Sequence, residues 1–99
     1  MPEREIPEKR GLVRMPVNAE VGYRIIGKNT FHKGRCLDLS QIGLLMETDV
    51  VLSVDDELSI IVNLEEGGFR PLKARTRVVR VEKAGDGMYR VAGKIIELD

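Results

Sequence analysis

The feature that most constrains the fold is a series of short segments in which apolar and polar residues alternate. In residues 58–64, apolar side chains occupy every second position, which is the period of a strand with one buried face. Residues 72–81 alternate in the same way and then slip by one position at Val78 and Val79, which predicts a β-bulge. Four further strand-like segments complete the series: residues 17–26, 30–37, 43–47 and 88–96.

Turn signals separate these segments at intervals of roughly ten residues, and no window of about a dozen residues has the 3.6-residue period of a helix. Composition predicts turns at residues 27–29, 65–68 and 84–87. An open sheet of this size would expose two edges, which closure into a barrel removes. The sequence therefore predicts an all-β protein, a six-stranded antiparallel β-barrel.

The length of 99 residues allows one domain. Residues 1–9 contain two prolines and five charges, so we expect a flexible N-terminal arm there and a barrel domain over residues 10–99. No apolar run approaches the roughly 20 residues of a membrane span, and the first ten residues lack the apolar part of a secretory signal. Cys36 is the only cysteine, which fits a reducing compartment. These features predict a cytoplasmic protein without membrane insertion.

Charge is segregated along the chain although its net value is zero. Residues 1–35 and 67–99 each carry eight Lys/Arg and four Asp/Glu, whereas residues 36–66 carry eight Asp/Glu and no Lys or Arg. A binding site for an anion should therefore draw on the first or the last third of the chain. The alternative is a set of solvated faces that differ in sign without a binding role.

Most catalytic and metal chemistry can be excluded from composition. The single histidine, His32, has no carboxylate close to it in sequence and is expected to be an exposed strand residue. One histidine and one cysteine cannot form a usual structural zinc site. Asp38, Ser40 and His32 lack the spacing of a catalytic triad, and the glycine pairs near residues 67 and 86 lack the helix that follows a phosphate loop. We expect no enzymatic activity, no metal and no cofactor.

Two short motifs remain. Arg10 and Arg14 lie four residues apart where the arm meets the barrel, but ten arginines in the chain make such a pair expected by chance. Asp38, Ser40 and Gly43 form a rarer pattern, D-x-S-x-x-G, at the corner between the second and third strands. The corner alone could select these residue types for local hydrogen bonding and a positive φ. A structural role and a binding role are therefore both open.

The order of these motifs, R-x-x-x-R before the first strand and D-x-S-x-x-G at the second corner, resembles the PilZ domain family. That family comprises bacterial receptors for the second messenger cyclic di-GMP. The segments R-M-P-V-N-A-E-V-G-Y-R and Y-R-V-A-G-K-I-I are similar to its first and last strands. Many members add a C-terminal helix, whereas the sequence here stops at Asp99. The resemblance therefore implies a minimal, stand-alone version of the domain. It implies cyclic di-GMP contact by the following residues: Arg10, Arg14, Asp38, Ser40 and Gly43.

The chemistry of the ligand agrees with these residue types. The guanidinium of arginine matches a phosphate or the N7/O6 edge of guanine. The Asp38 carboxylate can accept from guanine N1–H and N2–H, which adenine does not offer, and the Ser40 hydroxyl can donate or accept beside it. Gly43 would let a base or phosphate approach the backbone.

Two further basic residues are candidates for ligand contact. Lys9 directly precedes Arg10, and in the family a basic residue there is associated with a stacked pair of ligand molecules. Arg80 could stack on a base, although an exposed strand arginine without a binding role is the preferred interpretation.

The resemblance implies that cyclic di-GMP bridges the arm and the D-x-S-x-x-G corner, orders the arm, and alters a surface that a downstream protein partner reads. The first alternative is a PilZ-like adaptor that binds only proteins. The second is a small nucleic-acid-binding barrel. The neutral net charge and the scattering of the four aromatic residues along the chain count against nucleic acid.

Overall fold

The computed structural model describes residues 15–64 and 70–98, which form a closed barrel of six antiparallel strands. The strands are β1 (Met15–Ile25), β2 (Phe31–Leu39), β3 (Gly43–Thr48), β4 (Glu57–Val62), β5 (Leu72–Gly85) and β6 (Met88–Leu98). The predicted fold class is confirmed. Within these residues there is no helix of the length and apolarity that crossing a membrane requires.

The order of the strands around the barrel differs from their order in the chain. It runs β1-β2-β3-β6-β5-β4, and β4 closes the ring by pairing with β1. Strand β3 therefore pairs with β6 rather than with β4, which follows it in sequence. This arrangement brings the β2–β3 corner next to the two C-terminal strands.

The alternation of each strand decides which side chains fill the barrel. On β4, Leu58, Ile60 and Val62 point inward and are at most 1% exposed, as the sequence pattern predicts. The other strands contribute further fully buried side chains to the same core: Val21, Tyr23, Cys36, Met46, Val78 and Val91. Burial of each large apolar side chain contributes roughly 1.5–3 kcal/mol, so this interior is the main source of stability.

One buried polar contact joins β1 to β3. Tyr23 Oη and Thr48 Oγ1 share a hydrogen bond of 2.7 Å, and desolvation by burial raises the pKa of Tyr23. The His32 ring lies with its centroid 5.4 Å from that of Tyr23 and is half-buried. The prediction of an exposed His32 is therefore wrong, because the adjacent strand places an aromatic ring against it.

Two of the three predicted turns are confirmed. Gly27 has a φ of 96° after β1, and Lys28 donates its backbone N–H to the carbonyl of Ile25. Gly85 and Gly87 have φ values of 149° and 71° in the β5–β6 hairpin, a region that glycine adopts without a steric penalty. The third predicted turn, residues 65–68, lies outside the described residues.

Candidate functional site

Ser40 builds the corner between β2 and β3. Its backbone N–H donates to the Gly43 carbonyl at 2.9 Å. Its hydroxyl accepts from the backbone N–H groups of Ile42 at 3.4 Å and Gly43 at 3.2 Å, and donates to the Gly43 carbonyl at 3.3 Å. The single hydroxyl proton is thus used within the turn. Of the two roles that the sequence allowed, the structure shows the structural one for Ser40, which closes the turn.

Gly43 is required by the packing of β3 on β6. A Cβ atom built on Gly43 would lie 2.5 Å from the carbonyl oxygen of Gly93, closer than real Cβ contacts. Next to it, Ile95 donates its backbone N–H to the Ile42 carbonyl at 2.7 Å. Gly43 is not among the described residues with a positive φ, so close approach of two backbones, rather than an unusual φ, explains this glycine.

Asp38 faces the outside of the barrel because β2 is irregular just before it. The pairing of β2 with β3 shifts register between Cys36 and Asp38. Cys36 and Leu39 are both buried in the core, so the shift leaves Asp38 on the outer face, half-buried. Cys36 Sγ donates to the Asp38 carbonyl at 3.3 Å, and burial raises the pKa of the Cys36 thiol to about 11. The thiol is therefore protonated at neutral pH.

A cavity of about 430 Å³ lies beside this corner. That volume is within the range of small-molecule sites, roughly 300–1,000 Å³. Its lining comes from the β2–β3 corner and from β5 and β6, and includes Asp38, Ser40, Gly43, Arg80, Ala92 and Lys94. Three elements that are distant in sequence thus form one concave surface on the outer face of the barrel.

The predicted bulge in β5 places Arg80 at this cavity. The pairing of β5 with β6 shifts register between Val78 and Arg80, which confirms the bulge and leaves both Val79 and Arg80 exposed. Arg80 Nε lies 3.6 Å from Glu82 Oε2 in a solvent-exposed ion pair. Arg80 is thus both an exposed strand residue and part of the cavity wall, so the structure keeps both of its predicted roles open.

One row of cross-strand neighbours connects the acidic and basic sides of the cavity. Asp38 pairs with Leu45, Leu45 with Ala92, and Ala92 with Arg80. Because adjacent strands lie about 4.8 Å apart, Asp38 and Arg80 are roughly 14 Å apart along the sheet. Leu45 and Ala92 lie between them, and of these two residues Ala92, with its small side chain, lines the cavity.

Lys94 and Ala92 on β6 were not singled out by the sequence. Lys94 pairs with Gly43 on one side and Arg77 on the other, so it is a direct neighbour of the corner. No local motif marks it, because its place at the cavity depends on the pairing of β3 with β6. The charge pattern did predict that cations for an anion site would come from the first or last third of the chain, and Arg80 and Lys94 both belong to the last third.

The predicted arginine motif and the arm fall outside the described residues. This applies to residues 1–9, which include Lys9, and to Arg10 and Arg14. The described chain begins at Met15, whose Cα pairs with that of Leu39. Arg14 therefore directly precedes a residue that lies beside the cavity, and the five Cα-to-Cα steps from Arg10 to Met15 span at most about 18 Å.

The chemistry of the cavity suits an anionic organic ligand. Asp38 can accept hydrogen bonds on one side, and Arg80 and Lys94 offer positive charge on the other. Ile42 and Val79, which are 52% and 49% exposed, add apolar surface to the same cavity. In the described part of the chain, no group of three or more His, Cys, Asp or Glu side chains could hold a metal ion.

The structure is thus a small, closed antiparallel β-barrel domain with a mixed polar and apolar cavity beside one corner. Sequence comparison identifies the family: the profile of the PilZ domain matches residues 8–99. The chain therefore belongs to the PilZ domain family, a family of cyclic di-GMP receptors and effectors, as the two motifs predicted. A comparison with curated proteins finds no match to this chain.

The fold is also similar to a solved structure. The structure of Bacillus subtilis inhibitor of motility (MotI/DgrA) superposes with a TM-score of 0.73 at 14% sequence identity. The match covers 89% of this chain and 43% of that one, so the chain spans less than half the length of the solved protein. At this identity the likeness establishes a shared fold.

Proposed function

We propose that this chain is a non-catalytic, cytoplasmic receptor for cyclic di-GMP that binds the ligand in the cavity at the β2–β3 corner. The observation that supports this most strongly is the pairing of Met15 with Leu39, because Arg14 directly precedes Met15 in the chain and Leu39 lines the cavity together with Asp38. Family membership suggests the class of ligand, and the cavity offers a concave surface at the D-x-S-x-x-G corner.

The ligand has two phosphates and two guanines, which call for different partners. In this proposal Asp38 accepts from N1–H and N2–H of a guanine and so selects it over adenine. Arg10 and Arg14 contact a phosphate or the N7/O6 edge of a guanine with their planar guanidinium groups. Arg80, at the far side of the cavity, stacks on a base. Lys9 favours a stacked pair of ligands over a single molecule.

Ser40 and Gly43 contribute to the proposed site first of all through the shape of the corner. The Ser40 hydroxyl is bonded within the turn, so direct contact with the ligand would require it to exchange a partner. The absence of a side chain on Gly43 keeps β3 close to β6 and leaves the backbone of the corner open to the cavity.

Replacing Asp38 by alanine is expected to weaken cyclic di-GMP binding by about five- to thirtyfold, because two hydrogen bonds to a charged acceptor are lost. The variant should fold normally, since the side chain is half-buried on the outer face. Isothermal titration calorimetry with cyclic di-GMP, and with GTP as a control ligand, measures the change. Asp86→Ala is the matched control, because Asp86 is an exposed carboxylate in the β5–β6 hairpin. Equal affinity of the two variants would remove Asp38 from the site.

Binding should also order the N-terminal segment, because one ligand would contact both the arginine pair and the barrel. Ordering uses part of the binding energy and changes the surface available to a downstream protein partner. We expect hydrogen exchange in residues 5–16 to slow with saturating ligand, while β4 on another side of the barrel exchanges as before. Unchanged exchange in residues 5–16 would eliminate this switch.

A second candidate function is a PilZ-like adaptor that binds proteins and no nucleotide. It is favoured by the finding that Ser40 and Gly43 each have a structural role at the corner, which explains these two motif residues without a nucleotide. This alternative would be selected if calorimetry detected no heat of binding for cyclic di-GMP. The protein used must show a cooperative unfolding transition, which establishes that it is folded. A nucleic-acid-binding barrel receives less support, since Tyr23 is fully buried and cannot serve as a stacking platform.

A further inference from the structure

Lys94 places a positive charge at the cavity that the motifs do not include. Its side chain is exposed on the outer face of β6 and lines the same cavity as Asp38. Its cross-strand neighbour on β3 is Gly43, which has no side chain that could separate Lys94 from the corner.

Asp38 is the acidic residue of the cavity lining, and two further carboxylates, on β4 and β5, are paired with arginines. Arg77 Nη2 lies 3.4 Å from Glu57 Oε2, and Arg80 Nε lies 3.6 Å from Glu82 Oε2. Within residues 15–64 and 70–98, the Lys94 ammonium has neither an ion pair nor a hydrogen bond. Lys94 is therefore a cation at the cavity whose charge the described residues do not neutralise directly.

The positions of the charges limit how an anionic ligand can lie. A phosphate beside the Asp38 carboxylate would be repelled, whereas a base edge with N–H donors would be attracted. An ammonium group is a compact charge with three donors and binds phosphate well without a fixed fork geometry. The cavity thus has one side suited to a base edge and another, near β6, suited to a phosphate.

We propose that Lys94 contacts a phosphate of the bound cyclic dinucleotide and thereby determines the direction in which the ligand lies across the β2–β3–β6 surface. This inference rests on the proposed function, since it assumes that cyclic di-GMP occupies this cavity. It assigns to β6 a ligand-contacting residue beyond the arginine and D-x-S-x-x-G motifs.

The test is calorimetry with cyclic di-GMP on the full chain and on three variants: Lys94→Gln, Lys94→Arg and Lys73→Gln. Lys94→Gln is expected to bind about three- to tenfold more weakly, as fits the loss of one partly exposed ionic contact. Lys94→Arg keeps the charge and should remain within about twofold of the original affinity. Lys73 is an exposed lysine on β5, opposite Ile61 and outside the cavity lining, so Lys73→Gln controls for net charge.

Salt provides the second readout. The deficit of Lys94→Gln should shrink when NaCl rises from about 0.05 M to about 0.5 M, because salt screens the contact that the variant lacks. Equal weakening of Lys94→Gln and Lys73→Gln, or a deficit that does not depend on salt, would overturn the role of Lys94. Absence of binding by the unaltered chain would overturn the proposed function itself, so the two failures are distinguishable.

Discussion

Replacing Arg14 by alanine is expected to reduce the affinity for cyclic di-GMP by ten- to a hundredfold or more, equivalent to about 1.5–3 kcal/mol. The reason is the loss of a charge-assisted, two-pronged contact from the guanidinium closest in sequence to the barrel. Arg14 precedes Met15, which pairs with Leu39 at the wall of the cavity. Titration calorimetry of the full chain with cyclic di-GMP measures the effect.

Two further variants test the interpretation of the Arg14 result. Arg14→Lys keeps the charge and loses the planar fork, so its affinity should fall between those of the unaltered chain and Arg14→Ala. Arg75→Ala removes an exposed arginine of β5 that does not line the cavity, and should leave binding unchanged. Full affinity in Arg14→Ala would contradict the proposed site, and equal losses in Arg14→Ala and Arg75→Ala would indicate an effect of net charge alone.

The class of fold was predictable because the alternation of apolar and polar residues within each strand shows which face of that strand is buried. On β4 the alternation of Leu58, Ile60 and Val62 matches the buried positions, and on β5 the slip at Val78 and Val79 matches an observed bulge. Strand ends were less predictable. β5 continues to Gly85 rather than ending near residue 81, because its polar C-terminal half still pairs with β6 across a tight hairpin.

The strand order could not be read from local patterns, and this limited the prediction of the site. Alternation shows that β3 and β6 each have an inner face, but it does not show that they are neighbours. Asp38 and Ser40 were found because they form a local motif. Lys94 was not, because only the pairing of Gly43 with Lys94 brings it to the corner. Residues that approach a site through long-range pairing leave no signal in a single sequence.

The motif itself combines two kinds of constraint that the sequence could not separate. Ser40 closes the corner through its hydroxyl, and Gly43 permits the close approach of β3 to β6. Asp38 differs from both, since a register shift turns it to the outer face, where it lines the cavity. The same sequence pattern would result whether these residues shape the corner or bind a ligand. Substitution of Gly43 distinguishes the two roles for that residue.

Gly43→Ala is expected to destabilise the protein by about 1–3 kcal/mol, the usual cost of forcing an extra group into a packed region. The added Cβ would meet the Gly93 carbonyl oxygen at 2.5 Å, and neither backbone can move without disturbing the β3–β6 pairing. For a domain of this size each kcal/mol corresponds to roughly 4–8 °C in melting temperature. Gly22→Ala is the matched control, because a Cβ on Gly22 has no atom within 4 Å.

Thermal denaturation and calorimetry on these two glycine variants then distinguish the roles of the corner. If Gly43 serves packing, Gly43→Ala should melt well below Gly22→Ala, and its affinity should fall because the displaced corner moves Asp38 and Ser40. If Gly43→Ala and Gly22→Ala have the same melting temperature and only the affinity of Gly43→Ala falls, Gly43 is needed for the approach of the ligand to the backbone. The packing explanation would then be wrong, because a Cβ so close to a carbonyl oxygen cannot be free of cost.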